Sequence, residues 1–150
     1  VSDFLIRCAV ISEQKELEAL QLRASLNNAG DRDALLAHPD AIELPLDQIA
    51  AGAVFVSERN GVIAGFAALL PRPDGDVELD GLFVDPDAQR CGIGRSLIDH
   101  CVQQTRTQGS AALCVTGNPH AYDFYIACGF NVVGTIETRF GSGLLMRKMV

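Results

Sequence analysis

Between an extended run, Val77 to Val84, and the strongest helical period in the chain, Gly92 to Gln108, the sequence reads Gln89-Arg90-Cys91-Gly92-Ile93-Gly94-Arg95-Ser96. Asp85-Pro86 stops the strand, and two closely spaced glycines then open a helix on which Ile93, Leu97, Ile98, Cys101 and Val102 share one stripe. This strand-turn-helix unit constrains the fold more than any other stretch. Several backbone N–H groups at a helix start have no partner, and the aligned peptide dipoles add partial positive charge there. Glycines at 92 and 94 let an anion approach those groups with no Cβ in the way, and Arg90 and Arg95 add full charges. The segment reads as a phosphate site. Two familiar phosphate loops do not fit: a P-loop needs Lys-Ser/Thr after its last glycine, and a dinucleotide fingerprint needs a small residue where Leu97 stands. A tight strand-to-helix turn without a ligand is the other reading of the same glycines.

The flanking sequence predicts alternating strands and helices. Phe4 to Val10 is extended in character, and Ser12 offers a side-chain cap to a helix with Leu17, Leu20 and Ala24 on one face. Residues 27–52 break into short pieces, with helical turns expected at Asp33 to His38 and Leu46 to Ala51. Ala53 to Glu58 and Val62 to Leu70 flank Asn60-Gly61, a dipeptide suited to the positive φ angles of a tight hairpin. Gly81 inside the strand at 77–84 predicts a bulge or a close backbone approach. A strand at 111–115, a helix from Pro119 to Ala127 and two closing strands, Phe130 to Glu137 and Leu144 to Met149, complete the reading.

Composition narrows the function classes. With 12 Lys and Arg against 19 Asp and Glu the net charge is −7 over 150 residues, and the basic residues are dispersed, which argues against a nucleic-acid footprint. A chain of this length can bury roughly 70% of its unfolded surface, so one domain over 1–150 with a single core is expected. The longest run of apolar residues and glycine, Val62 to Leu70, is under half of a membrane span. Five cysteines, without a CxxC pair or a histidine at ligand spacing, predict neither disulfides nor a metal site, and fit the reduced thiols of a cytoplasm. No signal peptide is legible. His38, His100 and His120 read as solvated polar residues.

The chain resembles the GNAT superfamily of N-acetyltransferases. Gln89-Arg90-Cys91-Gly92-Ile93-Gly94 is similar to that family's Q/R-x-x-G-x-G/A loop, and it follows Leu82-Phe83-Val84-Asp85-Pro86, similar to the family's strand end and proline. A second block, Asn118 through Phe130 with Ala121, Phe124, Tyr125 and Gly129, is similar to its N…A…FY…GF segment. The resemblance covers 77–137 well, the preceding hairpin acceptably and 27–52 not at all. It implies an α/β (α+β) fold whose mixed, mostly antiparallel sheet is splayed between the strands at 77–84 and 111–115 and flanked by helices.

The same resemblance implies acetyl-CoA as acetyl donor, no metal, and a primary amine of a cationic small molecule or a protein as acceptor. The diphosphate would sit on the loop from Gln89 to Ser96. The pantetheine arm would lie in the splay against Leu82, Phe83 and Val84, with Asn118 on the far side. Its two amides lose water on binding, and a strand edge returns a donor and an acceptor at fixed spacing. The backbone N–H of Leu82 would face the developing oxyanion, Tyr125 would protonate the leaving thiolate, and Glu78 aligns with a glutamate used as base. Glu78 and Asp80, two apart, share a strand face before any bulge, and Asp80 or a water chain are alternatives as base. Residues 74–87 hold six carboxylates and no base, which would favour a cationic acceptor. Cys91 replaces a residue that is often Arg or Lys in the family, and is expected to be the most reactive of the five thiols. A non-catalytic acyl-CoA sensor, a protein-interaction subunit and a homodimer remain open.

Overall fold

The computed structural model describes residues 4–27, 29–37, 42–89, 91–138 and 141–150. In chain order the elements are β1 (Leu5–Cys8), α1 (Gln14–Asn27), α2 (Ala29–Ala37), α3 (Leu46–Ala50), β2 (Val54–Arg59), β3 (Val62–Pro71) and β4 (Val77–Val84). They are followed by α4 (Ile93–Thr107), β5 (Ala112–Gly117), α5 (Tyr122–Ala127), β6 (Asn131–Thr138) and β7 (Gly141–Met149). The strands form one seven-stranded sheet in the order β1-β2-β3-β4-β5-β7-β6. Every neighbouring pair is antiparallel except β4 and β5.

Apolar side chains alternate across the sheet, and each face is covered by helices. On one face Phe55, Ala67, Leu69, Val77, Leu79, Leu113 and Val115 pack against the α4 stripe of Ile93, Leu97, Ile98 and Cys101 and against Tyr125 and Phe130. On the other face Val54, Val56, Phe66 and Ala68 pack against Leu17 and Leu20 of α1 and Ile49 of α3. Leu97 and Ile98 are fully buried, as the helical period of the sequence required. The β2–β3 hairpin turns through Asn60 at φ 54° and Gly61 at φ 80°, the left-handed pair that an Asn-Gly turn accommodates.

Four local readings are corrected. Ser12 does not cap α1: it lies in a short 3₁₀ turn, Ile11–Glu13, and the Glu13 carboxylate accepts from the Val10 N–H at 2.9 Å. Glu13 also receives Arg7, which bridges to Glu58 on β2, so β1, β2 and the start of α1 are tied by charge. Where a turn at 33–38 was expected, α2 runs nine residues from Ala29 to Ala37; His38 lies outside the described residues. The helix expected at 119–127 is a 3₁₀ turn, Pro119–Ala121, leading into α5. His100 is not a solvated residue: it is half-buried, with its ring edge-on to Phe55 at 4.6 Å, and burial lowers its pKa.

Candidate active site

β4 and β5 run parallel and stay in register for only two residue pairs, Val77 with Leu113 and Glu78 with Cys114. Each strand then continues with its other neighbour: β4 pairs with β3 as far as Val84, and β5 pairs with β7 as far as Gly117. The result is a wedge in the middle of the sheet. From Leu79 onward β4 has no strand on its β5 side, so an edge of backbone donors and acceptors faces a cleft of about 720 Å³.

Gly81 marks the bulge expected of it. Ala68 of β3 pairs with Gly81 and Leu69 with Leu79, leaving Asp80 as the extra residue. Gly81 also carries the close approach: a Cβ there would come within 2.8 Å of the Phe83 ring, which folds back over it and packs on Phe66 at 5.4 Å. Leu82 and Val84 turn to the α4 face and Phe83 to the α1 face, so β4 lines the cleft with side chains from both faces of the sheet.

At the far end of β4, Asp85 accepts from the Asp87 N–H at 3.0 Å and pairs with Arg23 of α1 at 2.9 Å. The Asp87 N–H and then Arg23 hold its carboxyl below the usual range against a burial penalty. This contact ties α1 to the strand end and sets Ala24, Ser25 and Asn27 on the cleft wall. The chain then passes Gln89, whose side-chain amide turns back to the Val84 carbonyl at 3.4 Å, and enters α4 through Gly92 at φ 76°.

Gly92 occupies the left-handed region, and among the described residues beyond its chain neighbours and its own helix backbone a Cβ placed on it would meet nothing within 4 Å. Gly94 is closed in instead: a Cβ there would stand 3.1 Å from the Phe124 ring and 3.7 Å from Val84. Gln89, Gly92, Ile93, Gly94 and Arg95 line this end of the cleft, while Cys91 and Ser96 are not among its walls. Arg90 lies outside the described residues.

Across the wedge, Val115, Thr116, Gly117 and Asn118 form the β5 wall. Asn118 caps the following turn, its Oδ1 accepting from the His120 N–H at 2.9 Å, while also facing the cleft. Tyr125 is buried with its ring between Phe124 at 5.2 Å and Phe130 at 5.4 Å, both edge-on. Gly117 is what admits it, since a Cβ there would already touch the tyrosine ring at 3.4 Å. Burial pushes the pKa of the Tyr125 phenol upward, so at neutral pH it carries its proton.

Glu78 does not line the cleft. Its carboxylate is 3.4 Å from Arg72, which also pairs with Asp74, and Asp76 is held by Arg147 at 3.1 Å. With Asp85 on Arg23, four of the six carboxylates in 74–87 are ion-paired, and the three arginines that pair with them cancel half of the negative field expected from the sequence. Asp80, exposed on the bulge and lining the cleft, has no cation partner among the described residues.

The thiols divide sharply: Cys8 and Cys91 are exposed, whereas Cys101, Cys114 and Cys128 are buried, Cys101 with its pKa pushed up to about 12 by burial. Brief alkylation with mass-spectrometric mapping is therefore expected to label Cys8 and Cys91 only, and labelling of Cys101, Cys114 or Cys128 at a comparable rate would contradict their burial.

The sequence signalled the two glycines and the bulge through their spacing, and Tyr125 only through the family resemblance. It did not signal Ala24, Ser25 and Asn27, because small residues at the end of an amphipathic helix carry no chemical mark. Phe124 belonged to a recognised block, but its role as the surface that demands Gly94 is visible only in three dimensions.

Residues 19–130 match the family model described as acetyltransferase (GNAT) family. A [ribosomal protein bS18]-alanine N-acetyltransferase of Escherichia coli K12 is 35% identical over 80 residues, 51% of this chain and 53% of that protein. The peptidyl-lysine N-acetyltransferase YjaB of the same strain is 36% identical over 84 residues, 56% of this chain and 52% of its own. The matches thus span about half the length of these curated relatives. Among solved structures, PaiA N-acetyltransferase from Thermoplasma acidophilum, in complex with coenzyme A, superposes with a TM-score of 0.79 at 18% identity, covering all of both chains. YncA from Salmonella typhimurium, with acetyl-CoA, gives 0.73 at 22% identity over 99% of this chain and 94% of its own. The fold is the one these structures share, and the chain belongs to the acetyltransferase (GNAT) family.

Proposed function

We propose that this protein transfers an acetyl group from acetyl-CoA to a primary amine of a cationic small molecule or of a protein, by direct attack of the amine on the thioester. The observation that carries the reading is the unpaired β4 edge, which opens beside the glycine-lined start of α4 in one continuous cleft. The residues fit the donor. N–H groups of the first α4 turn, beside Gly92 and Gly94 and with Arg95 on the cleft wall, suit a diphosphate. The β4 edge at Leu82, Phe83 and Val84, faced by Asn118, suits the amides of the pantetheine arm. Acetyl-CoA supplies the activated acyl group.

In this reading the Leu82 N–H, just past the bulge, donates to the oxygen that gains charge as the amine attacks. Tyr125 donates its phenolic proton to sulfur as the carbon–sulfur bond breaks, and burial keeps the phenol protonated until then. Glu78 acts as base. Because it stands off the cleft and beside Arg72, the proton reaches it through water.

An alkylamine with the pKa of lysine is neutral in only about one molecule in 2,500 at pH 7, so removing a proton is a real part of the barrier. Glu78→Gln is accordingly expected to lower kcat/KM about tenfold near pH 7, with the deficit shrinking as pH approaches the amine's own pKa. A pH-independent loss would assign Glu78 a structural part instead. The reading as a whole is tested by a thermal-shift screen of CoA esters followed by an amine panel with thiol-release detection. Stabilisation by acetyl-CoA and amine-dependent thiol release are expected; stabilisation without release from any amine would leave an acyl-CoA-binding protein.

A further inference from the structure

Among the described residues, the charged side chains lining the cleft are two: Arg95 in the first turn of α4 and Asp80 on the β4 bulge. The α4 turn meets β4 at Val84, where a Cβ on Gly94 would touch the valine. Asp80 is four residues back along the strand, roughly 13 Å away at the rise of a β-strand. The cleft therefore has a cationic end and an anionic end, and a phosphate-bearing donor is drawn to the first. What Asp80 is for is then a separate question. Among the described residues it caps no turn and pairs with no arginine, and it is exposed, whereas Asp74, Asp76, Glu78 and Asp85 are each ion-paired with an arginine.

Resting on the reading above, we propose that Asp80 is the counter-ion for the acceptor and selects amines that carry a second, non-reacting ammonium group. The reacting nitrogen cannot be its partner throughout, because that nitrogen must lose its charge before it attacks. An ion pair with it would hold it in the unreactive form. A second ammonium keeps its charge from binding through the transition state, so Asp80 grips ground state and transition state alike and acts mainly on KM. Proton transfer is left to Glu78 and the buried Tyr125 phenol, and the solvent-facing Asp80 carboxylate on the rim holds the charge.

The test compares 1,4-diaminobutane with butylamine at saturating acetyl-CoA in the native chain, Asp80→Asn and Asp80→Lys. The expected result is that Asp80→Asn lowers the diamine-to-monoamine ratio of kcat/KM about fivefold and that Asp80→Lys lowers it further, mainly through the KM of the diamine. Asp80→Glu should restore most of it. An unchanged ratio in both charge variants would overturn the proposal. Calorimetric titration of 1,4-diaminobutane into CoA-loaded protein separates this from failure of the transfer reading. Binding that weakens in Asp80→Asn supports Asp80 even where no amine turns over, and binding that is absent or indifferent to the substitution overturns it.

Discussion

Gly92→Asp is expected to weaken acetyl-CoA binding at least a hundredfold while leaving the protein folded. Gly92 sits at φ 76°, where a side chain costs about 1 kcal/mol, a penalty that should lower the melting temperature by only a few degrees. Among the described residues, no atom beyond its chain neighbours and its own helix backbone lies within 4 Å of the Cβ that the substitution adds, so no packed neighbour is displaced by it. The damage falls on whatever occupies the space outside the turn. If that is a diphosphate drawing on the first N–H groups of α4, a carboxylate placed there takes its position and repels it. A hundredfold loss corresponds to about 2.7 kcal/mol, well within what one misplaced negative charge among such donors can cost. Gly92→Ala separates the two contributions, since it carries the backbone strain without the charge, and it is expected to lose far less affinity. Isothermal titration of acetyl-CoA, with melting curves beside it, checks both.

Tyr125→Phe is expected to lower kcat by one to two orders of magnitude with little change in the KM for acetyl-CoA. The hydroxyl matters when sulfur leaves and contributes little to holding the donor, so the loss belongs to the transition state. The fold should barely notice. The phenol makes no hydrogen bond among the described residues, and the ring contacts with Phe124 and Phe130 survive in phenylalanine. Steady-state rates with a thiol-detecting reagent decide it, and an unchanged kcat would leave Tyr125 as a packing residue admitted by Gly117.

How far the sequence could be read depended on whether the determining forces were local. Asn60-Gly61, the α4 stripe and Gly92 each act over a few residues, and each was legible. The Gly81 bulge was legible too, although which residue would be extruded was not, because the β3 register decides that. The splay is a contest between long-range pairings: β4 keeps β3 and β5 keeps β7, so the two part after Glu78 and Cys114. No local pattern encodes that outcome, and only resemblance supplied it. Charge was the least legible property. The carboxylates of 74–87 look like one field in the sequence, but Arg23, Arg72 and Arg147 arrive from 62, 2 to 6 and 71 residues away to pair with four of them.

The central claim is that a ligand completes the sheet by lying along the open edge of β4. Amide hydrogen exchange measured with and without acetyl-CoA tests it most directly, because N–H groups on an unpaired edge exchange quickly until something accepts from them. The account predicts slowed exchange in residues 81–84 and in the first turn of α4 around 92–95, with the outer strands β1 and β6 unchanged. Binding of acetyl-CoA that left residues 81–84 exchanging as fast as before would contradict it.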